Sequence, residues 1–135
     1  MRLRLSQNIF IYDAIGAAIT SLLVVFLVGK SPNFFGLEPK VCIILGLIAF
    51  GFSIYSLISH FLPRSFAFRF RLGFIAISNF LYCLFTFLIV FGMIEFSSTR
   101  EVTLWGKLYF IGEIMIVLML VFVELRMVFR AKNNS

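Results

Sequence analysis

The segment VCIILGLIAFGFSIYSLISHFL, residues 41–62, decides the fold class because it contains no Asp, Glu, Lys or Arg. An α-helix needs roughly 20 apolar residues to cross the hydrocarbon core of a bilayer, and this segment meets that length. Three further segments are also long enough and mainly apolar: residues 9–28, 72–94 and 103–125. The sequence therefore predicts a single transmembrane domain over residues 1–135, an antiparallel bundle of four transmembrane helices with left-handed crossings.

Composition supports this class and argues against a soluble domain. Hydrophobic residues make up 61% of the chain and charged residues 13%, and the mean hydropathy is +1.06. These apolar and charged shares lie far from those of an ordinary soluble domain. The formal net charge of +6 suggests no nucleic-acid partner, because the basic residues fall between the apolar segments. The expected partner is instead the lipid bilayer.

The basic residues also predict the orientation of the chain. Eight Lys and Arg residues lie in the N-terminus, the second connector and the tail, whereas four lie on the other side. Because cytoplasmic loops carry the excess of Lys and Arg, we expect both termini in the cytoplasm.

Small and polar residues mark the face of each helix that packs on its neighbours. Membrane helices associate through small residues that let backbones approach and through polar side chains that bond across the interface. In the second segment such residues recur at steps of three and four: Cys42, Gly46, Ala49, Ser53, Ser56 and His60. The other segments offer Asp13, Ala17 and Thr20; Ala76, Asn79, Cys83 and Thr86; and Gly106, Glu113 and Glu124. Each helix therefore has one inward face.

Glu113 has the highest expected free-energy cost of insertion into the membrane, because it lies near the middle of the fourth segment. A charged side chain at the centre of a membrane helix costs at least about 2.5 kcal/mol, so an ionisable residue there is a functional hypothesis by default. Glu113 is either a proton-coupling or cation-contacting carboxylate, or a protonated carboxyl that joins helices. Thr20, Tyr82 and a backbone carbonyl are its expected partners.

A second polar cluster is predicted nearer the cytoplasmic edge, and it comprises His60, Glu124, Asp13, Ser56 and Asn79. Asp13 and His60 have the spacing and depth for a salt bridge, and Glu124 could instead pair with Arg126; a solvated edge is the alternative for all three. Asn79, three residues before Tyr82, fits either an interhelical hydrogen bond or a binding site. The candidate intramembrane site therefore comprises Glu113, Asp13, Asn79, Tyr82, Thr20 and His60.

No motif of an enzyme is present in the sequence. It lacks a Gly-rich phosphate loop, a GxSxG motif and an HExxH motif, and its single His excludes bis-histidine haem within one chain. Cys42 and Cys83 form no CxxC pair, so a zinc site or a thiol redox pair is not expected. The sequence predicts a protein without catalytic residues, cofactor or metal.

In size and number of spans the chain resembles the small multidrug resistance transporters, and this resemblance would place their membrane carboxylate at Asp13. The surrounding IYDAIGAAIT, residues 11–20, departs from that family's first-helix pattern, as does the deep Glu113. The chain is more closely similar to small bacterial four-span membrane proteins, through YDAIGA near its start, SNFLYC in the third segment and GEIMIVLMLVFVE in the fourth. That similarity implies the architecture and a place in the bacterial inner membrane, but no activity.

Two classes of function stay open at this level. The first is a non-enzymatic helical module, either an accessory or interaction subunit or a binder of lipid or a small molecule. The second is a proton-coupled transporter or channel in which Glu113 is the coupling carboxylate. A second copy of the chain or another membrane protein is a possible partner in either class. A transporter requires a water path to Glu113, whereas a module requires a core that is filled by side chains and contains no such path.

Overall fold

A computed structural model describes residues 2–63, 67–94 and 101–133, with the backbone alone for residues 2–7 and 131. Its described residues form helices and connecting turns without a strand. Four of the helices are long and apolar enough to cross a membrane. The predicted fold class, an all-α bundle of four transmembrane helices, is therefore confirmed, and the protein is a small multi-pass membrane protein.

The helices follow the apolar segments with small differences at their ends. Helix α1 spans Arg2–Leu22 and continues as a π-helical segment, Leu23–Val28. A short helix α2, Pro32–Phe35, lies in the first connector. Helices α3, α4 and α5 span Pro39–Phe61, Phe68–Val90 and Leu104–Asn133.

The largest differences from the predicted bounds are at the start of α1, which begins at Arg2 and not at residue 9, and at the end of the last helix; the third span is shifted as a whole. The third span was predicted over residues 72–94, but α4 runs from Phe68 to Val90 and is followed by Gly92 with φ +69°. The fourth was predicted to end at residue 125, but α5 continues to Asn133. Charged residues at a membrane edge do not end a helix, because long side chains can extend to the polar interface. The charges therefore marked the edge of the apolar segment and not the end of the helix.

Local sequence explains several helix ends. Pro39 begins α3, where a missing N–H group costs no helical hydrogen bond, and Pro63 follows its C-terminus. The Thr103 hydroxyl oxygen accepts a hydrogen bond from the Gly106 amide at 3.2 Å, which caps the start of α5. Thr103 also joins the two connectors at this end, since its amide donates to the Phe35 carbonyl oxygen at 3.2 Å.

The long helices pack most closely in two pairs, α1 with α3 and α4 with α5. Two apolar clusters occupy the two ends of the bundle. The loop-end cluster, beside the connectors that precede α3 and α5, includes Val24, Val28, Phe35, Leu45, Val90 and Phe110. The terminal-end cluster, near the chain termini, consists of Ile9, Phe10, Leu72 and Ile75, with Phe68, Met127 and Val128 against it.

The predicted inward face of the second span is confirmed by burial. Gly46, Ala49 and Ser56 are buried, whereas Leu47 on the opposite face is 63% exposed. A Cβ atom at Gly46 would lie 2.3 Å from Cγ2 of Val25, so only glycine lets α3 approach α1 this closely. The exposed apolar side chains of all four helices form the lipid-facing surface.

Candidate functional site

One polar side chain from each long helix meets near the centre of the bundle. The Ser56 hydroxyl of α3 donates a hydrogen bond to Oδ2 of Asp13 on α1. Nδ2 of Asn79 on α4 donates to Oδ1 of the same carboxyl at 2.7 Å. The Glu124 carboxyl of α5 lies beside that of Asp13. We call these four residues the four-helix polar cluster.

The side chains of the four-helix polar cluster are almost completely buried. Asp13 is 2% exposed, Asn79 is 5% exposed, and Ser56 and Glu124 are 0% exposed. Both oxygens of Asp13 accept hydrogen bonds, but neither oxygen of Glu124 accepts one from the described residues. Two adjacent carboxyl groups therefore share a site with few donors, an arrangement that favours a bound proton or a cation.

Arg71 is the buried basic side chain among the described residues, and its hydrogen bonds go to backbone carbonyls and not to the carboxyl groups of Asp13 and Glu124. Arg71 is 6% exposed, and it donates from Nη1 to the Ser59 carbonyl at 2.7 Å and from Nη2 to the Pro63 carbonyl at 2.9 Å. Its guanidinium also lies over the Phe10 ring, with 5.7 Å from Cζ to the ring centroid. Arg71 thus satisfies the C-terminal end of α3, where a positive charge is favourable, and it does not neutralise the carboxyl pair.

Glu113 forms a separate polar contact within the α4–α5 pair. The Tyr82 hydroxyl donates to Oε1 of Glu113 at 2.9 Å, and Tyr109 lies next to the same carboxyl. Glu113 is 9% exposed and its Oε2 has no hydrogen-bond partner among the described residues. The predicted contact with Tyr82 is confirmed, whereas Thr20 is not a partner of Glu113.

A cavity of about 40 Å³ lies between these two polar groups. All four long helices contribute to its wall, which includes Asp13, Thr20, Phe52, Asn79, Tyr82 and Leu120. A water molecule needs about 10–15 Å³ of such space, so the cavity has room for about three. Along the bundle it is flanked by the loop-end cluster on one side and by the terminal-end cluster on the other.

The structure brings most of the predicted site residues together. Asp13, Thr20, Asn79 and Tyr82 all line the cavity, and Glu113 adjoins it through its bond to Tyr82. Whether these residues form a functional site stays a prediction.

The predicted salt bridge between Asp13 and His60 is wrong. Asp13 is instead bonded to Ser56, which lies one helical turn deeper than His60 on the same face. His60 contacts Phe61, with ring centroids 5.3 Å apart in an edge-on arrangement. The reason is depth, because the side chain that reaches Asp13 across the α1–α3 contact is the one at its own level.

Glu124 is the main residue that sequence reasoning misplaced. It was expected at a solvated edge or paired with Arg126, but it is fully buried while Arg126 is exposed. Because α5 runs to Asn133, Glu124 lies about two turns inside the helix end and within the candidate membrane span Leu104–Arg130. The predicted inward face of this helix already included Glu124, since Glu113 and Glu124 are eleven residues apart and so project from nearly the same face. The error therefore concerned its depth and not its face.

The chemical range of this site is narrow. Among the described residues no group of three or more His, Cys, Asp or Glu side chains could hold a metal ion. Cys42 and Cys83 are buried, free thiols. The arrangement offers carboxyl groups, an amide, a phenol and aromatic faces, a set that suits proton or small-cation binding.

No protein-family model, curated protein or solved structure matches this chain.

Proposed function

We propose that this protein is a non-enzymatic helical module of the membrane that holds a small molecule at the centre of its bundle. The observation that carries the proposal is the central cavity, which is walled by all four long helices, has polar side chains from α1 and α4 in its wall, and is flanked by apolar clusters at both ends. Ligand pockets in proteins typically combine a mostly apolar wall with a few convergent polar groups. The central cavity has this character.

The two apolar clusters favour a binder over a transporter. Phe10 and Leu72 in the terminal-end cluster are each 1% exposed, and Val24, Leu45 and Phe110 in the loop-end cluster are 0% exposed. Side chains packed this tightly leave little room for a continuous water path along the bundle axis.

The test is purification of the native protein in a mild detergent, followed by mass spectrometry of everything that remains bound. A stoichiometric small molecule supports the binder, whereas a bound lipid would be too large for the central cavity. A stoichiometric membrane protein with no small molecule would support the accessory-subunit form of the module instead. A protein that carries neither would contradict the proposal.

A proton-coupled transporter or channel is the second candidate, and one observation favours it. Tyr82 both bonds to Glu113 and lines the cavity that contains Asp13, so protonatable groups lie on two sides of the same small space. In this alternative Glu113 is the coupling carboxylate. Reconstituted vesicles with an imposed pH gradient would then show a proton flux that Glu113→Gln abolishes. Vesicles that remain proton-tight would exclude this candidate.

The orientation and location belong to the same proposal. The distribution of Lys and Arg supports a cytoplasmic position for both termini, and the resemblance to small bacterial four-span proteins supports a bacterial inner membrane. Reporter fusions after Ser135 and within residues 30–40 should report opposite sides of the membrane. If both report the same side, the orientation and the span count must be revised.

A further inference from the structure

We infer that the central cavity binds a small primary ammonium ion, such as an alkylamine of one to two carbons, with its charge against Asp13. This inference deepens the proposed function, on which it rests, by naming the class of ligand. Three features of the site carry it: unbalanced negative charge, aromatic walls and small size.

The first feature is the charge. Asp13 and Glu124 are adjacent and fully or almost fully buried, and Asp13 lines the cavity. Both Glu124 oxygens lack a hydrogen-bond donor among the described residues, although this side chain is 0% exposed. A buried carboxylate without a donor or a counter-charge is strongly unfavourable. Glu124 does not itself line the cavity, but a cation in the cavity beside Asp13 would supply the counter-charge that the adjacent carboxyl pair lacks.

The second feature is the wall of the cavity, which argues against a metal ion. Hard cations such as Ca²⁺ take six to eight oxygen ligands. The cavity offers few oxygen atoms, since its two Asp13 oxygens already accept hydrogen bonds and most of its remaining wall is carbon. An ammonium group needs only a few acceptors, and its alkyl part can contact Ile116 and Leu120.

The aromatic residues of the wall favour the same ligand. Phe52 and Tyr82 both line the cavity, and their ring centroids lie 6.4 Å apart in an edge-to-face arrangement. An organic cation over the face of such a ring is stabilised by the cation–π interaction. The wall therefore matches both the positive charge and the alkyl part of an amine.

The third feature is the size of the space. A cavity of about 40 Å³ has room for about three water molecules. Methylammonium and ethylammonium have a comparable number of non-hydrogen atoms. Tetramethylammonium has more, and it carries no N–H donor for Asp13.

The experiment measures the thermal unfolding midpoint of the full-length protein in detergent. The additives are methylammonium chloride, tetramethylammonium chloride and potassium chloride at equal ionic strength. We expect methylammonium alone to raise the midpoint in a saturable way, as mass action requires of a ligand that binds only the folded state. No such rise, or an equal rise with all three salts, would overturn the inference. The first of these results would also indicate that a proton balances the carboxyl pair.

Variants then locate the site. Asp13→Asn should abolish the methylammonium effect, and Ala17→Leu should do so by filling the cavity while all carboxyl groups remain. Ser21→Ala is the matched control, because Ser21 bonds to the Gly46 carbonyl at 2.8 Å outside the cavity wall, and it should keep the full effect. If Asp13→Asn does not fold, Ala17→Leu still decides the question. A full effect in Ala17→Leu would contradict the inference.

The failure of this inference is distinguishable from failure of the proposed function. Methylammonium that has no effect on a protein carrying another bound molecule would overturn the ligand class and leave the binder intact. A proton flux through reconstituted vesicles would overturn the binder.

Discussion

The contact between α1 and α3 differs in kind from the contact between the two helix pairs. Within the α1–α3 pair, Gly46 brings the backbones together, and two serines bond to backbone carbonyls of the partner helix: Ser21 to Gly46 at 2.8 Å and Ser53 to Ala14 at 2.7 Å. Between the pairs, Asp13, Asn79 and Glu124 meet through their side chains, and a cavity remains.

This difference shows how one small bundle combines rigidity with a site. Close backbone packing fixes helices in lipid, where no hydrophobic force drives them together. Such packing leaves no space for a ligand. The looser contact between the pairs leaves that space, and polar side chains supply the attraction that close packing provides elsewhere. The proposed site therefore lies where the helices pack least closely.

The largest expected effect tests the close contact. Gly46→Leu should destabilise the protein by up to about 3 kcal/mol, because overpacking forces side chains and backbone apart. The free energy of unfolding can be measured by titration of mixed micelles with a denaturing detergent. Gly51→Leu on the same helix is the matched control, since a Cβ atom there would meet nothing within 4 Å. Equal losses in the two variants would mean that α3 is rotated from the position described.

The next effect tests the polar contact between the pairs. Asp13→Leu removes the bond from Asn79 between the pairs and the bond from Ser56 within the α1–α3 pair, and it leaves the Asn79 amide without its acceptor, so we expect a loss of about 2 kcal/mol. The same titration measures it. In a double-mutant cycle with Asn79→Leu, the two losses should not add. The cycle with Asn79 isolates the part that belongs to the contact between the pairs. Additive losses would contradict the direct bond between these residues.

A smaller effect concerns Glu113, which bonds within the α4–α5 pair. Glu113→Gln keeps an acceptor for the Tyr82 hydroxyl and should preserve stability, whereas Glu113→Leu should cost about 1 kcal/mol. Tyr82→Phe should cost a similar amount and should add nothing to Glu113→Leu. Loss of the fold in Glu113→Gln would contradict a structural hydrogen bond and would favour the transporter as the function.

The smallest expected loss of stability concerns the close contact between α1 and α3. Ser53→Ala removes a side-chain bond to the Ala14 carbonyl, but that carbonyl lies within a helix, where carbonyl groups also accept backbone bonds. We expect a loss of about 0.6 kcal/mol, measured by the same titration. A loss as large as that of Asp13→Leu would show that both contacts depend on polar bonds, and the comparison would fail.

The sequence by itself determined the number of membrane helices and their inward faces. Length and hydropathy determine the first, because a bilayer has a nearly fixed thickness. The helical period determines the second, so the spacing of Gly46, Ala49 and Ser56 was enough to predict their burial. The Glu113–Tyr82 contact also followed, since both residues lie at a similar depth.

Only the tertiary structure decided which helices pair closely, and hence where the cavity lies. It also decided that Asp13 bonds to Ser56 and Asn79 and not to His60, and that Glu124 is buried beside Asp13. The physical reason is that hydropathy gives the extent of the apolar segment and not that of the helix, which can continue past it, as α5 does to Asn133. A hydrogen bond is sensitive to distances of a few tenths of an ångström, so its partners depend on how the helices pack.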